Sequence, residues 1–384
     1  MKKEVLKRQN LKNFFAGHFF IALSGVFLSF FLPFYLKEKG LSVLEIGALF
    51  TIGLAFGGLI VSIAYSKILK GIKLKTGLMI SSFFTFFQNF ILFIIPNSVG
   101  VLVSKFSGEV NTSLYRVSGD VTQQHNSDKK NHRTISSINL VVDSLALVLG
   151  LLISVLLVRK VGFGFSFLLF ALFTLPALIF FSNINDKSRF KPKKHLKKFP
   201  EISVNLKLVL FSEILYWLAL ASSFTLVITF LVADKFAGSM IWLAILFGGL
   251  YLSISLTTLF TYKFLDKFDL IKTSILGTFI LLLSAVLIII STNLYFVLGA
   301  FILEGIGAGI WVPSKTAFYW RLVSKENRER ISGYLGGWRG FANALGPLVG
   351  GFLVVRFGIL APFYFKAILS LGVLIIYVYV LRKS

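Results

Sequence analysis

Eight ionisable side chains stand inside long apolar stretches of this chain: His18, Lys105, Glu109, Asp143, Glu213, Glu304, Lys315 and Arg339. A charge at the centre of a membrane-crossing helix costs ~2.5–3.5 kcal/mol on insertion scales, so such residues normally face a partner or a cavity. Residues spaced i, i+4, i+7 and i+11 share one helix face. One such face reads Glu304, Ala308, Trp311, Lys315, and another reads Lys105, Glu109, Thr112, Arg116. Glu213 has Trp217 one turn further on, and His18 heads a small-residue face of Ala22, Gly25 and Ser29. Acid, base and indole on shared faces suit the binding of a charged or zwitterionic group.

Each of these residues also has a plainer role open to it. Lys105 and Glu109 are four apart and can pair directly, either as part of a site or only to lower the insertion cost. Glu213, Arg116 and Lys315 lie near the ends of their stretches and can reach water along their stems. His18 can be a packing residue. Glu304 and Asp143 are different: both lie mid-stretch with no opposite charge within a turn. Arg339, nine residues into its stretch, is comparably placed. Burial favours the neutral form of a carboxylic acid, which suits a group that takes up and releases a proton. Glu304 and Asp143 are therefore the candidate proton-coupling residues.

The elements that must position these groups follow from composition. Of 384 residues, 56% are hydrophobic and 15% charged, with a mean hydropathy of +0.83. Soluble domains are ~45–50% apolar with about a quarter of residues charged. Crossing a ~30 Å hydrocarbon core takes roughly 20 apolar residues as helix, and backbone groups in lipid must be satisfied within the segment. A membrane β-barrel would need alternation of apolar and polar residues, whereas Ile275 to Ile290 is apolar on every side. The chain contains no Cys, which excludes disulfides, thiolate metal sites and cysteine nucleophiles. The Phe-rich run Phe83, Phe84, Phe86, Phe87 and Phe90 reads as a lipid-facing surface, with an aromatic pocket as the alternative.

Apolar runs between polar punctuation give twelve spans: 13–36, 44–66, 75–95, 98–119, 134–158, 163–182, 206–232, 238–262, 271–291, 294–319, 331–355 and 360–381. The net charge of +24 lies in the short loops between them, not on the single face that nucleic-acid binding needs. No nucleic-acid partner is expected. With the N-terminus, the even-numbered loops and the C-terminus on one side, 28 Lys and Arg fall there and six on the other. Cationic loops stay cytoplasmic, so both termini are expected in the cytoplasm. The basic residues 1–12 lead into span one without a small-residue cleavage site, and no cleaved signal is expected.

The longest polar interruption, 183–203, is basic and holds Pro192 and Pro200. It divides the chain into an N-terminal half 1–182, a cytoplasmic linker 183–205 and a C-terminal half 206–384. The halves echo each other. Span four is followed by Gln123–Arg133 and span ten by Leu322–Arg330, and each loop ends in Arg just before an Ile-Ser pair, Ile135-Ser136 and Ile331-Ser332. Repeated membrane halves with a site near the midplane are the mark of secondary transporters.

Three local patterns carry a family resemblance. Leu265-Asp266-Lys267-Phe268 with Lys272, between spans eight and nine, resembles the acidic–basic cytoplasmic loop signature of the major facilitator superfamily. The first-half counterpart, Tyr65-Ser66-Lys67 with Lys70, Lys73 and Lys75, keeps the bases but has Ser66 in place of the acid. Gly346-Pro347-Leu348-Val349-Gly350-Gly351 in span eleven is similar to the glycine–proline motif that the family's antiporters carry in span five. Lys105 stands roughly where many members carry Arg in span four. The resemblance covers essentially the whole chain. It implies an all-α fold of twelve transmembrane helices in two pseudo-symmetric bundles, spans one, four, seven and ten around a central cavity, and Asp266 and Lys267 as gating-loop residues. Six of the eight intramembrane charges fall on those four spans.

The expectation is a monomeric, multi-pass protein of the cell membrane, a secondary transporter of a small charged or zwitterionic solute, coupled to protons. Its site residues are Lys105, Glu109, Asp143, Glu213, Trp217, Glu304, Trp311, Lys315 and Arg339, among membrane lipids. An enzyme is not expected, since no span carries paired carboxylates and no phosphate-cradling Gly-rich loop with Lys occurs. No cofactor or metal is expected. The alternatives are a lipid scramblase or a non-transporting sensor on the same fold.

Overall fold

The computed structural model describes residues 2–68, 72–126, 132–185, 203–264, 269–323 and 328–383. The gating-loop residues Asp266 and Lys267, and most of the linker, lie outside them. The described residues are helical almost throughout, as apolar runs in lipid require. Span one is α1 (Lys2–Val26), a π-helical turn (Phe27–Phe31) and α2 (Leu32–Glu38). Spans two, three and four are α3 (Val43–Ile68), α4 (Leu74–Ile94) and α5 (Ser98–Asn126). Spans five and six run through α6 (His132–Leu172) into α7 (Leu175–Ser182). The joint inside α6 is Gly162, at φ 78° and ψ 174°, a conformation that a Cβ would strain.

Span seven is broken. Helix α8 (Val204–Ser223) ends at Phe224 in extended conformation, α9 (Thr225–Phe230) follows, and a second π-helical turn (Leu231–Lys235) closes it. The remainder are α10 (Met240–Phe264), α11 (Leu270–Ile289), α12 (Leu294–Leu322), α13 (Arg328–Phe357) and α14 (Ala361–Lys383). Among the described residues nine helical stretches are long and apolar enough to cross a membrane. One of them, Ser137–Ser182, holds both spans five and six, and α3 and α5 supply spans two and four. Polar caps set the helix starts. Asp269 accepts from the Ile271 and Lys272 amides, both at 2.9 Å, and Asn293 from the Tyr295 and Phe296 amides at 3.0 and 3.1 Å. Such caps satisfy donors that have no partner within the helix.

The chain forms two compact units, Met1–Ser29 with Ile52–Phe199, and Phe30–Thr51 with Pro200–Ser384. The first is centred on Phe14, Ile21, Leu78, Ala177, Phe181 and Ile184. An asparagine cluster ties its helix ends. Asn10 donates to Asn126 at 2.9 Å and accepts from the Asn185 amide at 2.9 Å, while Asn13 donates to the Asn183 carbonyl at 3.1 Å. Lys75 reaches the Ser182 carbonyl at 2.5 Å, so two side chains meet carbonyls that the end of α7 leaves without a helical partner.

The second unit is centred on Tyr216, Trp311, Tyr377 and the aliphatic side chains around them. Here α13 lies directly on α8. A Cβ on Gly346 would collide with Ala221, and one on Gly350 with the Ser222 carbonyl. The glycine–proline stretch thus lets two helices approach as closely as small residues allow. Asp234, in the second π-helical turn, pairs with Lys37 of α2 at 2.7 Å.

Candidate functional site

The second unit gathers five of the expected site residues around one carboxylate. Glu213 of α8 forms ion pairs with Lys315 of α12 and, at 2.9 Å, with Arg339 of α13. The Arg339 Nε adds a second hydrogen bond to the same oxygen at 3.1 Å, and the indole of Trp217 donates to it at 3.2 Å. The Lys315 ammonium stands 3.7 Å from the centre of the Trp311 ring and 5.6 Å from that of Tyr216. Arg339 lies 5.9 Å from the Trp217 ring. Side-chain exposure is 6% for Glu213 and 4% for Lys315 but 27% for Arg339, so the cluster opens toward Arg339. Lys315 does not reach water along its stem; it turns inward to Glu213. Two basic side chains, one of them a guanidinium, thus face one acid.

A second buried pair joins Glu304 of α12 to Lys366 of α14 at 2.8 Å, and the Ser284 hydroxyl of α11 donates to the same carboxylate oxygen, Oε2. Glu304 and Lys366 are 2% and 1% exposed. Glu304 Oε1 has no hydrogen-bond partner among the described residues. Lys366 stands 4.8 Å from the ring of Phe224, at the break in span seven. Sequence reasoning missed Lys366, although a lone Lys inside the apolar run of span twelve is the same signal that exposed the other eight.

In the first unit His18 of α1 faces Asp143 of α6, Nε2 to Oδ1 at 3.5 Å, and its other ring nitrogen meets the Tyr115 hydroxyl at 2.8 Å. The imidazole is stacked with Tyr115 and with Phe14, at centroid distances of 5.5 and 6.1 Å. These groups border a cavity of about 310 Å³, lined also by Asn111, Thr112, Arg116, Gln123 and Asn139. The side-chain carbonyls of Asn111 and Asn139 accept no hydrogen bond from the described residues. Both His18 and Asp143 stand out in the sequence, but only the fold places them opposite each other. Tyr115 was not foreseen, since a Tyr in a membrane helix is common.

Lys105 and Glu109 stand at a helix crossing. Glu109 accepts from Ser113 at 3.3 Å, and the Cβ atoms of Lys105 and Glu109 lie where side chains on Gly53 and Gly57 of α3 would otherwise stand. This face of α5 is a close helix crossing. Of its residues, Thr112 and Arg116 reach the cavity.

Buried acid–base pairs held between helices of a twelve-span chain define a membrane protein of the transporter class. The chain belongs to the Major Facilitator Superfamily, whose model matches residues 14–234 and 209–384. It is similar to Multidrug resistance protein 2 of Bacillus subtilis, 29% identical over 34% of this chain and 32% of that one. It is similar also to the proton-coupled antiporter flippase LtaA of Staphylococcus epidermidis, 28% identical over 62% of each chain. The chain thus spans less than two thirds of the length of these relatives. A solved peptide transporter, POT in complex with sulfate, shares the fold at a TM-score of 0.75 with 13% identity, over 97% of this chain and 94% of that one.

Proposed function

We propose that this chain is a secondary transporter that moves a small charged or zwitterionic solute across the cell membrane by alternating access, coupled to protons. The observation that carries the proposal is the set of acid–base pairs within the spans of both units, Asp143–His18 at a cavity and the buried Glu213 with Lys315 and Arg339. Packing alone does not call for them. Replacing a buried ion pair by apolar residues of similar volume is often neutral or stabilising, whereas lipid-embedded charges accompany substrate and proton pathways. Asp143 and Glu304 are the proton carriers in this reading. Asp143 borders a cavity and faces an imidazole, whose charge can change in the physiological range. Glu304 has one oxygen engaged and one open to a proton. The name of the LtaA relatives, proton-coupled antiporter flippase, supports the coupling, and the 28-to-6 split of Lys and Arg supports cytoplasmic termini.

The protein is taken to work as a monomer, its halves 1–182 and 206–384 joined by the linker 183–205. A thermal-shift screen of purified protein would supply bound solutes, and uptake of each into proteoliposomes under an imposed pH gradient tests the reading. The expected result is accumulation that collapses with a protonophore and is lost in Asp143→Asn or Glu304→Gln. Uptake indifferent to the gradient would overturn proton coupling, and lipid flipping without any gradient would favour a scramblase.

A further inference from the structure

We propose that Glu213 is an internal stand-in for the substrate, and that the place it occupies is an anion site. The site takes the carboxylate, sulfonate or phosphate ester of an organic anion with an apolar body. This deepens the transport reading above and rests on it.

The geometry makes the case. Every donor that a buried anionic group needs already converges on one point: the Lys315 ammonium, the side fork of Arg339 and the Trp217 indole N–H, from three different helices. Charge-assisted contacts of this kind are the strong ones. A purely structural pair needs one cation per acid, but here there are two. With Glu213 neutral, Lys315 and Arg339 would be held together with no counter-charge, an arrangement that an incoming anion relieves. Glu213 lies one turn from Trp217 and can withdraw by a change of rotamer, leaving the same donors to a ligand. Arg339 is the most exposed of the three charged groups, with 27% of its side chain accessible, and so marks the side of entry. Trp217 beside it offers an indole face to an apolar body, while the buried Trp311 holds the Lys315 ammonium from beneath.

A proton on Glu213 and an anion on Lys315 and Arg339 therefore promote each other. The other titratable groups facing Glu213 are the phenols of Tyr216 on its own helix and of Tyr377 on α14. Glu304, the remaining acid within reach of Tyr216, keeps its own cation, Lys366. Glu213 is thus the carboxylate whose protonation changes the charge of this cluster.

The test is direct binding, with no gradient. Full-length protein in detergent is titrated calorimetrically with naphthoate, naphthylmethanol and naphthylmethylammonium, three probes with one ring and three charges. In the wild type naphthoate should bind at least about tenfold more tightly at pH ~5.5 than at pH ~8, a difference of about 1.4 kcal/mol, and the other two should not. Glu213→Gln should bind naphthoate tightly at both pH values, a gain that misfolding cannot produce. Arg339→Gln should weaken it at least about tenfold, with recovery in Arg339→Lys. Preference for the ammonium probe, or naphthoate binding that ignores both pH and Arg339→Gln, would overturn the anion site. Naphthoate binding as described, with uptake indifferent to a pH gradient, would instead overturn the coupled-transport reading.

Discussion

The two units solve the same problem, an acid inside a membrane helix, in different ways. In the first, Asp143 faces a single imidazole at 3.5 Å beside a cavity of about 310 Å³. That pair can lose both charges when one proton passes from the imidazolium to the carboxylate. In the second, Glu213 is enclosed by an ammonium and a guanidinium, and Arg is never deprotonated in proteins. At least one positive charge stays there in every protonation state. The difference lies in charge: the first pair can become neutral, whereas the second keeps its guanidinium charged.

The largest expected effect on that contrast comes from removing the centre of the second site. Glu213→Ala leaves the buried Lys315 beside Arg339 with no acid between them, and breaking a buried pair costs ~3–5 kcal/mol. Denaturant unfolding in detergent would show it. Lys366→Met should follow with ~3 kcal/mol, because Glu304 is then buried alone. Combining it with Glu304→Gln should recover most of the loss. If the double variant stays as unstable as the single, the pair matters through packing rather than charge.

Asp143→Asn should cost less, ~1 kcal/mol, since it gives up one long contact next to a cavity. Its signature is functional: the dependence of uptake on the pH gradient disappears while the protein remains folded. An Asp143→Asn loss of stability as large as that of Glu213→Ala would erase the distinction between the units. The smallest effect belongs to Lys37→Gln. Lys37 and Asp234 are 27% and 53% exposed, and ion pairs so exposed contribute ~0.2–1 kcal/mol.

The spans and the break at Gly162 were legible in the sequence, because lipid imposes length and apolarity on every helix and a loop interrupts both. The charges that meet in these pairs stood out for a related reason: a charge in an apolar run has no cheap place to go. Their partners were not. Nothing local connects Glu213 to Arg339, 126 residues later, and helical spacing speaks only of neighbours on one helix. The spacing argument did set Trp311 and Lys315 on one face, where the ammonium now rests on the indole. It offered Glu304 no cation, because Lys366 lies on another helix. It was also silent on how nearly Lys105 and Glu109 abut α3.

The Glu213 cluster also bears on how the protein is made. Helix α8 leaves the ribosome well before α12 and α13, so Glu213 meets the membrane while both of its cations are still unsynthesised. An unpaired acid within an apolar helix resists insertion. Glu304 then waits in the same way for Lys366 on the last helix. A chain stopped before α14 would therefore carry Glu304 without its cation, Lys366.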